Sequence, residues 1–252
     1  MPEVLESAGV PREVAEGLAT LRESLRSAAG DNLRALVLYG GVARGRFRAG
    51  HSDVNVAVVL GDAGVDSLEA VAPALQAAWR SIRVEPMVLS HDEVAAAAEV
   101  FPTKFLDIRD HSQLLSGEDP FATLDVPAEH VRLRIEQSLR NLAMRLRRRF
   151  VSIADSPSEM RTALVSAARP FAIELNALLE VAAKPTPTVD RTAAIFEAAA
   201  EAFGLPALPL AQLAGLRQDG GIDLDPKVLY DHVLSALDAA IARSRGLKEP
   251  AP

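Results

Sequence analysis

The sequence of 252 residues contains no cysteine and few aromatic residues, which make up only 4% of the chain. The lack of cysteine excludes disulfides, iron–sulfur clusters, thiolate zinc sites and cysteine nucleophiles. Apolar residues still reach 49%, and many of them are alanine. The core must therefore be built from aliphatic and small side chains, which favours packed helices.

Long hydrophobic runs are also missing. No stretch approaches the roughly 20 consecutive apolar residues of a membrane-spanning helix. Residues 1–6 are acidic, whereas a secretory signal begins with basic residues. We therefore expect a cytoplasmic protein that has no membrane as partner.

Charge is distributed unevenly along the chain, whose formal net charge is −7. Residues 1–126 contain 11 Lys and Arg against 19 Asp and Glu, whereas residues 127–252 contain 16 against 15. The acidic total disfavours a protein that coats nucleic acid. Residues 127–150 are the exception, with seven arginines and two glutamates.

Residues 1–126 alternate between helical and strand patterns. Apolar residues at helical spacing follow Pro11, and two further helices are expected to begin at capping-box pairs, Asp66 with Glu69 and Ser90 with Glu93. Short aliphatic runs predict three strands, over residues 33–39, 53–60 and 82–89. This order predicts an α/β domain with a small sheet.

After residue 127 the strand patterns largely disappear. Apolar residues recur every three or four positions from Val131 to Phe150, which predicts one long helix. A second helix is expected from about residue 158 to 183, and Pro170 should kink or divide it. Further helices are expected around Phe196 and Leu213 and over residues 226–244, followed by a disordered tail over residues 248–252. This half is predicted to be a helical bundle domain.

Residues 38–56 carry the first group of chemically informative residues. The first strand ends at Gly40 and Gly41, a short arginine-bearing segment follows, and Asp53 and Asn55 open the next strand. Side chains two positions apart on a strand point the same way, so Asp53 and Asn55 should converge. The glycines let backbone N–H groups approach an anion, and a helix N-terminus behind them would favour a phosphate.

Glu85 is an acid inside an otherwise apolar third strand. If that strand lies beside the second, its carboxylate can join Asp53 and Asn55. Alternatively Glu85 faces solvent from an edge strand, which the neighbouring Pro86 favours. Asp53 and Asn55 have an ordinary interpretation too, in which they bind the backbone at the start of their strand.

The order of these residues resembles the nucleotidyltransferase superfamily of the DNA polymerase β type. In that family a hydrophobic residue is followed by a Gly-Gly or Gly-Ser pair. After a spacer come two acids with a hydrophobic residue between them, and a third acid lies on a later strand. Residues 38–41, Asp53 and Glu85 match this pattern, whereas Asn55 stands where the family has its second acid. Residues 101–119 are similar to small bacterial members that continue into a helical domain.

The resemblance implies a small mixed β-sheet nucleotidyltransferase domain over residues 1–126 and an all-α helical bundle over residues 127–252. It implies transfer of a nucleoside monophosphate from a nucleoside triphosphate, ATP first, to a hydroxyl of a small molecule or protein. The implied catalytic and Mg²⁺-binding residues are Asp53, Asn55 and Glu85. The implied nucleotide-binding residues are Gly40, Gly41, Arg44, Arg48 and Ser52.

Asn55 leaves two hypotheses open. Removing one negative charge about 4 Å from a cation weakens their attraction by roughly 4 kcal/mol at an effective dielectric of 20. Yet Mg²⁺ is commonly bound by one or two carboxylates together with substrate phosphates. The protein is then either an active enzyme or a catalytically inactive relative that binds nucleotide or a protein partner as a regulator, such as an antitoxin. A second copy of the chain also stays open as a partner.

The arginine-rich helix likewise has two interpretations. It is either a solvated face that pairs with the acidic first domain or a surface that attracts a polyanion such as triphosphate or RNA. The lack of aromatic residues around it disfavours RNA. The arginines in question are Arg132, Arg134, Arg140, Arg145, Arg147, Arg148 and Arg149.

Overall fold

The computed structural model describes residue 5 and residues 9–45, 47, 52–187, 192–216 and 225–246. The chain divides into two units, Met1–Val126 and Pro127–Pro252. In the described residues the first unit holds a four-stranded mixed sheet with helices, and the second holds helices alone. This confirms the predicted fold class. In the same residues, no helix combines the length and apolar character needed to cross a membrane.

The aliphatic runs of the first unit form one sheet with the strand order β3-β2-β1-β4. The strands are β1 (Leu33–Tyr39), β2 (Val54–Leu60), β3 (Val84–Ser90) and β4 (Gln113–Gly117). β1 is antiparallel to β2 and to β4, whereas β2 and β3 are parallel. The central strands β1 and β2 are almost wholly apolar because both of their faces are buried.

Five helices with described bounds accompany the sheet in the part of the first unit that the structure describes. They are α1 (Arg12–Ala29), α2 (Gly40–Ala43), α3 (Val65–Ile82), α4 (Glu93–Val100) and α5 (Pro102–His111), and a short 3₁₀ turn (Gly30–Asn32) connects α1 to β1. α1 and α3 cover one face of the sheet, and their apolar residues form one buried cluster with Leu36, Val56 and Val84. α3 is the crossover that parallel strands require between β2 and β3.

The fourth strand was not predicted, so the expected order of three strands is wrong by one. Only Leu115 of β4 is fully buried, and Leu114 is 45% exposed, so the segment has no strong apolar pattern. Pairing with β1 makes it a strand. At its end Gly117 has a φ of 82°, and a Cβ there would collide with the carbonyl oxygen of Arg34.

Neither of the two predicted capping boxes caps its helix as expected. The prediction for Asp66 and Glu69 is wrong, because α3 begins one residue earlier and Asp62 Oδ2 accepts hydrogen bonds from the Gly64 N–H (3.3 Å) and the Ser67 hydroxyl (2.9 Å). For the second pair, the backbone N–H of Ser90 donates to Glu93 Oε2 at 2.8 Å. However, α4 begins at Glu93 with Asp92 as its N-cap, so the prediction that Ser90 caps this helix is also wrong.

The second unit contains five helices in its described residues. They are α6 (Ala128–Ile153), α7 (Pro157–Val181), α8 (Thr192–Phe203), α9 (Ala207–Gly215) and α10 (Pro226–Gly246). α7 packs against α6, α8 and α10. The buried Tyr230 of α10 donates a hydrogen bond to the carbonyl oxygen of Leu146 in α6 at 2.8 Å.

Pro170 does not divide α7, which runs unbroken from Pro157 to Val181. A proline inside a helix removes one backbone hydrogen bond. Its neighbours Ala168 and Phe171 are fully buried against the rest of the unit, and this packing keeps the helix continuous. The predicted tail over residues 248–252 lies outside the described residues.

Candidate functional site

Polar side chains from three strands meet at one end of the sheet. The register places Tyr39 of β1 opposite Asn55 of β2, and Asn55 opposite Glu85 of β3. Residues directly opposite each other in a sheet point to the same face, and neighbouring strands are about 4.8 Å apart. Tyr39, Asn55 and Glu85 therefore form a row across three strands, which we call the polar row.

The polar row lies on the face of the sheet away from α1 and α3. Leu38 and Val56 alternate with the row residues and belong to the cluster that contains those two helices. Burial decreases along the row, because Tyr39 and Asn55 are partly buried whereas Glu85 is exposed. The row is thus open to a ligand at its Glu85 end, on the edge strand β3.

The predicted glycine turn lies directly against the polar row. Gly40 has a φ of 75°, and a Cβ at this position would lie 3.1 Å from Asn55 Nδ2. Glycine is favoured here both by the backbone conformation and by the close approach to Asn55. Gly41 is exposed within α2, which is only four residues long.

Asp53 lies one residue before β2, where its carboxylate already has a cationic partner. Asp53 Oδ1 is 2.7 Å from Arg83 Nη2 and 3.0 Å from Arg83 Nε. Arg83 occupies the equivalent position before β3, and its guanidinium lies 5.9 Å from the centroid of the Trp79 ring. About half of each charged side chain is exposed, so the ion pair contributes little to stability. It does compete with any other cation for Asp53.

Tyr39 and Lys104 add two functional groups that sequence reasoning missed. Burial raises the pKa of Tyr39, and the negative charge of Glu85 raises this pKa further. The Tyr39 hydroxyl thus stays protonated at neutral pH and can donate a hydrogen bond. Lys104 Nζ of α5 lies 5.6 Å from the centroid of the Tyr39 ring. Tyr39 could have been recognised as a site residue from its position next to the glycine pair. No feature of the sequence indicated that Lys104 lies near it.

Arg44, which was predicted to bind nucleotide, contacts α5. Its guanidinium forms an ion pair with Asp107, and its Nη2 lies 3.1 Å from His111 Nδ1. Nearby, the Gln113 side chain donates a hydrogen bond to the carbonyl oxygen of Ala43 at 3.2 Å. These contacts attach the segment after the glycine turn to α5 and β4. A role of Arg44 in nucleotide binding stays a prediction.

The other predicted nucleotide-binding residues have different placements. Gly40 and Gly41 form the turn beside Asn55, and Ser52 is partly buried next to Asp53. Arg48 lies outside the described residues. Their roles in nucleotide binding also stay predictions.

The oxygen donors at this end of the sheet suit Mg²⁺ that is bound together with a nucleotide. Glu85 supplies an exposed carboxylate, Asn55 an amide oxygen, and Asp53 a carboxylate that Arg83 partly neutralises. The described part of the chain has no group of three or more acidic or histidine side chains placed to hold a metal ion. Mg²⁺ commonly needs only one or two carboxylates when phosphate oxygens complete its coordination. These residues therefore fit a Mg²⁺–nucleotide complex better than a free ion.

Comparison with known proteins identifies a similar fold. No family model and no curated protein matches this sequence. Among solved structures, the chain is similar to the crystal structure of spectinomycin adenyltransferase AAD(9) from Enterococcus faecialis with ATP and spectinomycin. The sequences are 14% identical, the TM-score is 0.53, and the similarity covers 88% of this chain and 98% of that chain. At this identity the similarity shows the fold alone.

Proposed function

We propose that this protein transfers a nucleoside monophosphate from a nucleoside triphosphate to a hydroxyl group of a small molecule. The observation that carries the proposal is the polar row, in which Asn55 and Glu85 lie side by side and Gly40 packs against Asn55. The fold similarity to an adenyltransferase supports the proposal, because it covers 88% of the chain and thus extends beyond the sheet unit.

The proposed nucleotide lies with its phosphates against the glycine turn. Gly40 has no side chain to obstruct the approach of a phosphate to the backbone. Lys104, beside Tyr39, supplies a positive charge close to the same place. ATP is the first candidate, because the similar adenyltransferase was crystallised with ATP.

Asn55 and Glu85 would hold Mg²⁺ together with phosphate oxygens of the nucleotide, and Asp53 would join them when it separates from Arg83. The bound ion would supply neutralisation of the charge on the phosphates. The alternative role of Glu85 is that of a general base. The oxygen of the acceptor hydroxyl then forms a bond to the α-phosphorus, and the hydroxyl proton passes to Glu85. The bond between the α-phosphorus and the bridging oxygen of the β-phosphate breaks, and pyrophosphate leaves.

A second candidate function is that of a catalytically inactive relative that binds nucleotide or a protein partner as a regulator. Two observations favour it: the Asp53–Arg83 ion pair and the neutral Asn55 between the two acids. Of Asp53, Asn55 and Glu85, only Glu85 is then a carboxylate that has no ion pair with a described residue. Such a site can bind a nucleotide and still fail to position it for transfer.

The test is to mix the purified full chain with Mg²⁺ and each labelled nucleoside triphosphate, and to measure binding and pyrophosphate release. Spectinomycin is the first acceptor to try, since it is bound in the similar structure. We expect Mg²⁺-dependent ATP binding, and faster pyrophosphate release with an acceptor. Binding without release over a panel of hydroxyl-bearing acceptors would favour the second candidate. Absence of both binding and release would exclude the enzyme.

A further inference from the structure

The helical unit contains a groove of about 570 Å³ that no part of the proposed function uses. Its volume is that of a small-molecule site. Both α6 and α7 line it, and its polar lining is Arg134, Ser138, Asn141, Arg145, Arg148 and Glu174. We call it the arginine groove.

The spacing along α6 explains why these side chains share one groove. Arg134, Ser138, Asn141, Arg145 and Arg148 follow one another at steps of four, three, four and three residues. Residues at these steps lie on one face of a helix. This polar stripe runs beside the buried apolar stripe of α6, which packs into the unit.

The arginines of α6 differ in their partners according to the face on which they lie. Away from the groove, Arg140 pairs with Glu136 at 2.7 Å and Arg147 with Asp238 at 3.0 Å. Within the groove, Arg145 and Arg148 form no ion pair with any described residue. Folding thus pairs the outlying arginines and leaves two guanidinium groups side by side in a concavity.

One part of the groove is already organised by a hydrogen bond. Arg134 Nη1 donates to the Ser138 hydroxyl oxygen at 2.6 Å, and Ser138 lies close enough to Glu174 of α7 to influence the pKa of that carboxyl. Burial raises the pKa of Glu174, while the Ser138 side chain and the charge of Arg134 lower it. Arg134, Ser138 and Glu174 lie in the same groove as Arg145 and Arg148, which form no ion pair with a described residue.

We propose that the arginine groove binds a small phosphorylated molecule, with its phosphate oxygens held by Arg145 and Arg148 and its polar remainder held by Ser138 and Glu174. A guanidinium presents two parallel N–H donors that match phosphate oxygens, so neighbouring arginines can hold one phosphate group together. No aromatic side chain lines the groove, which argues against base stacking and so against RNA. The proposal does not depend on the activity assigned to the polar row.

The experiment titrates the full chain with inorganic triphosphate in EDTA by calorimetry, so that metal-dependent binding at the polar row does not contribute. We expect one site per chain. Replacing both arginines, Arg145→Gln with Arg148→Gln, should weaken binding by roughly a hundredfold, because each lost charge-assisted hydrogen bond is worth about tenfold. Arg148→Lys, which keeps the charge but not the planar fork, should cause a smaller loss.

Two matched controls locate the site. Arg147→Gln removes the same charge from the same helix but outside the groove, and should change the affinity less than twofold. Glu85→Gln alters the polar row and should also leave the affinity unchanged. A loss in Arg147→Gln equal to that of the double variant would show general charge attraction and overturn the proposal. Tighter binding in Glu85→Gln, which removes a carboxylate that repels phosphate when no metal is present, would place triphosphate at the polar row, with the same consequence.

Further arms identify the kind of phosphate compound. Ribose 5-phosphate and ATP, each titrated in EDTA, distinguish a sugar phosphate from a nucleotide. Binding of inorganic triphosphate, ribose 5-phosphate or ATP that is weakened when Arg145 and Arg148 are replaced supports the proposal. Glu174→Gln should tighten inorganic triphosphate binding severalfold, because it removes a like charge from the lining. If none of the three ligands binds, the proposal is wrong. Thermal unfolding of each variant checks that the helical unit still folds.

Discussion

The polar row of the sheet unit and the arginine groove of the helical unit lie in halves of the chain with different net charge. The row lies in a half of the chain with a formal charge of −8, yet it contains a single acid, Glu85, beside the neutral Asn55. The groove lies in a half with a charge of +1, yet it brings together three arginines. The net charge of a half therefore does not predict which charged side chains come together at its candidate site.

Ion pairs between residues that are far apart in the sequence determine which charged side chains stay without a partner at each place. In the sheet unit Arg83 pairs with Asp53, whereas Glu85 forms no ion pair with any residue that the structure describes. In the helical unit Asp238 pairs with Arg147, whereas Arg145 and Arg148 form no ion pair within the described part of the chain. Each unit pairs some of its charges internally and leaves others without an ion pair at its candidate site. The following predictions test whether those remaining charges carry the function.

The largest expected effect is that of Glu85→Gln on pyrophosphate release. An amide cannot accept the proton of the acceptor hydroxyl and carries no charge for a metal ion, so the rate should fall by roughly 10²-fold or more. The rate is measured at saturating ATP and acceptor. The control is Glu99→Gln, an exposed acid on α4 outside the row, which should keep the full rate. A rate within threefold of the wild type would remove Glu85 from the mechanism.

Asn55→Asp should strengthen the binding of Mg²⁺ with ATP about tenfold. The added charge at 4 Å from a cation is worth roughly 4 kcal/mol at an effective dielectric of 20, and solvent that reaches the exposed Glu85 end of the row reduces that value. Without Mg²⁺ the same variant should bind ATP more weakly at the polar row, because the carboxylate repels the phosphates. Titrations with and without Mg²⁺ measure both effects. An unchanged affinity in both conditions would contradict the placement of the metal.

Gly40→Ala should destabilise the protein by about 1 to 2 kcal/mol, the cost of holding a residue with a side chain at positive φ. It should also displace Asn55, because the new Cβ would lie 3.1 Å from Asn55 Nδ2. Gly30→Ala is the matched control, since Gly30 also has a positive φ but nothing within 4 Å of its Cβ position.

Urea unfolding and ATP titration distinguish the two glycine variants. Both should lose stability, but only Gly40→Ala should weaken Mg²⁺-dependent ATP binding. Neither should change triphosphate binding in the arginine groove. Equal ATP affinity in the two variants would show that the contact between Gly40 and Asn55 has no part in the site.

The smallest effect is expected for Glu174→Gln on thermal stability. Burial raises the pKa of Glu174 above the ordinary value of 4.5, so the folded protein binds the proton more tightly than the unfolded chain. The wild type should therefore lose stability relative to the variant as the pH rises from about 4.5 through the folded pKa of Glu174. Melting temperatures from pH 4 to pH 8 measure the difference. A difference that is constant over this range would contradict the prediction.

Local patterns predicted most of the fold. The aliphatic runs became β1, β2 and β3 to within two residues, because a buried strand must be apolar at consecutive positions. The strand β4 escaped prediction, since Leu115 is its only fully buried residue and pairing with β1 creates the strand. Pro170 was overrated as a helix breaker, because the packing of its buried neighbours in α7 outweighs one lost hydrogen bond.

The site was predictable only in part. That Asp53 and Asn55 share a face follows from strand geometry, but the position of Glu85 beside them depended on the parallel pairing of β2 and β3. The partners of Asp53 and Arg44 could not be anticipated, because Arg83 and Asp107 are 30 and 63 residues away along the chain. No periodicity relates residues at such separations.

The sequence by itself determined the periodicity of the helices and strands, the glycine turn, and which residues carry charge, because these depend on neighbours a few positions apart. Only the tertiary structure decided which charges are paired and which stay available at the polar row and in the arginine groove. The physical reason is that an ion pair requires its two groups to lie within a few ångströms of each other in space, and folding alone brings distant parts of the chain that close.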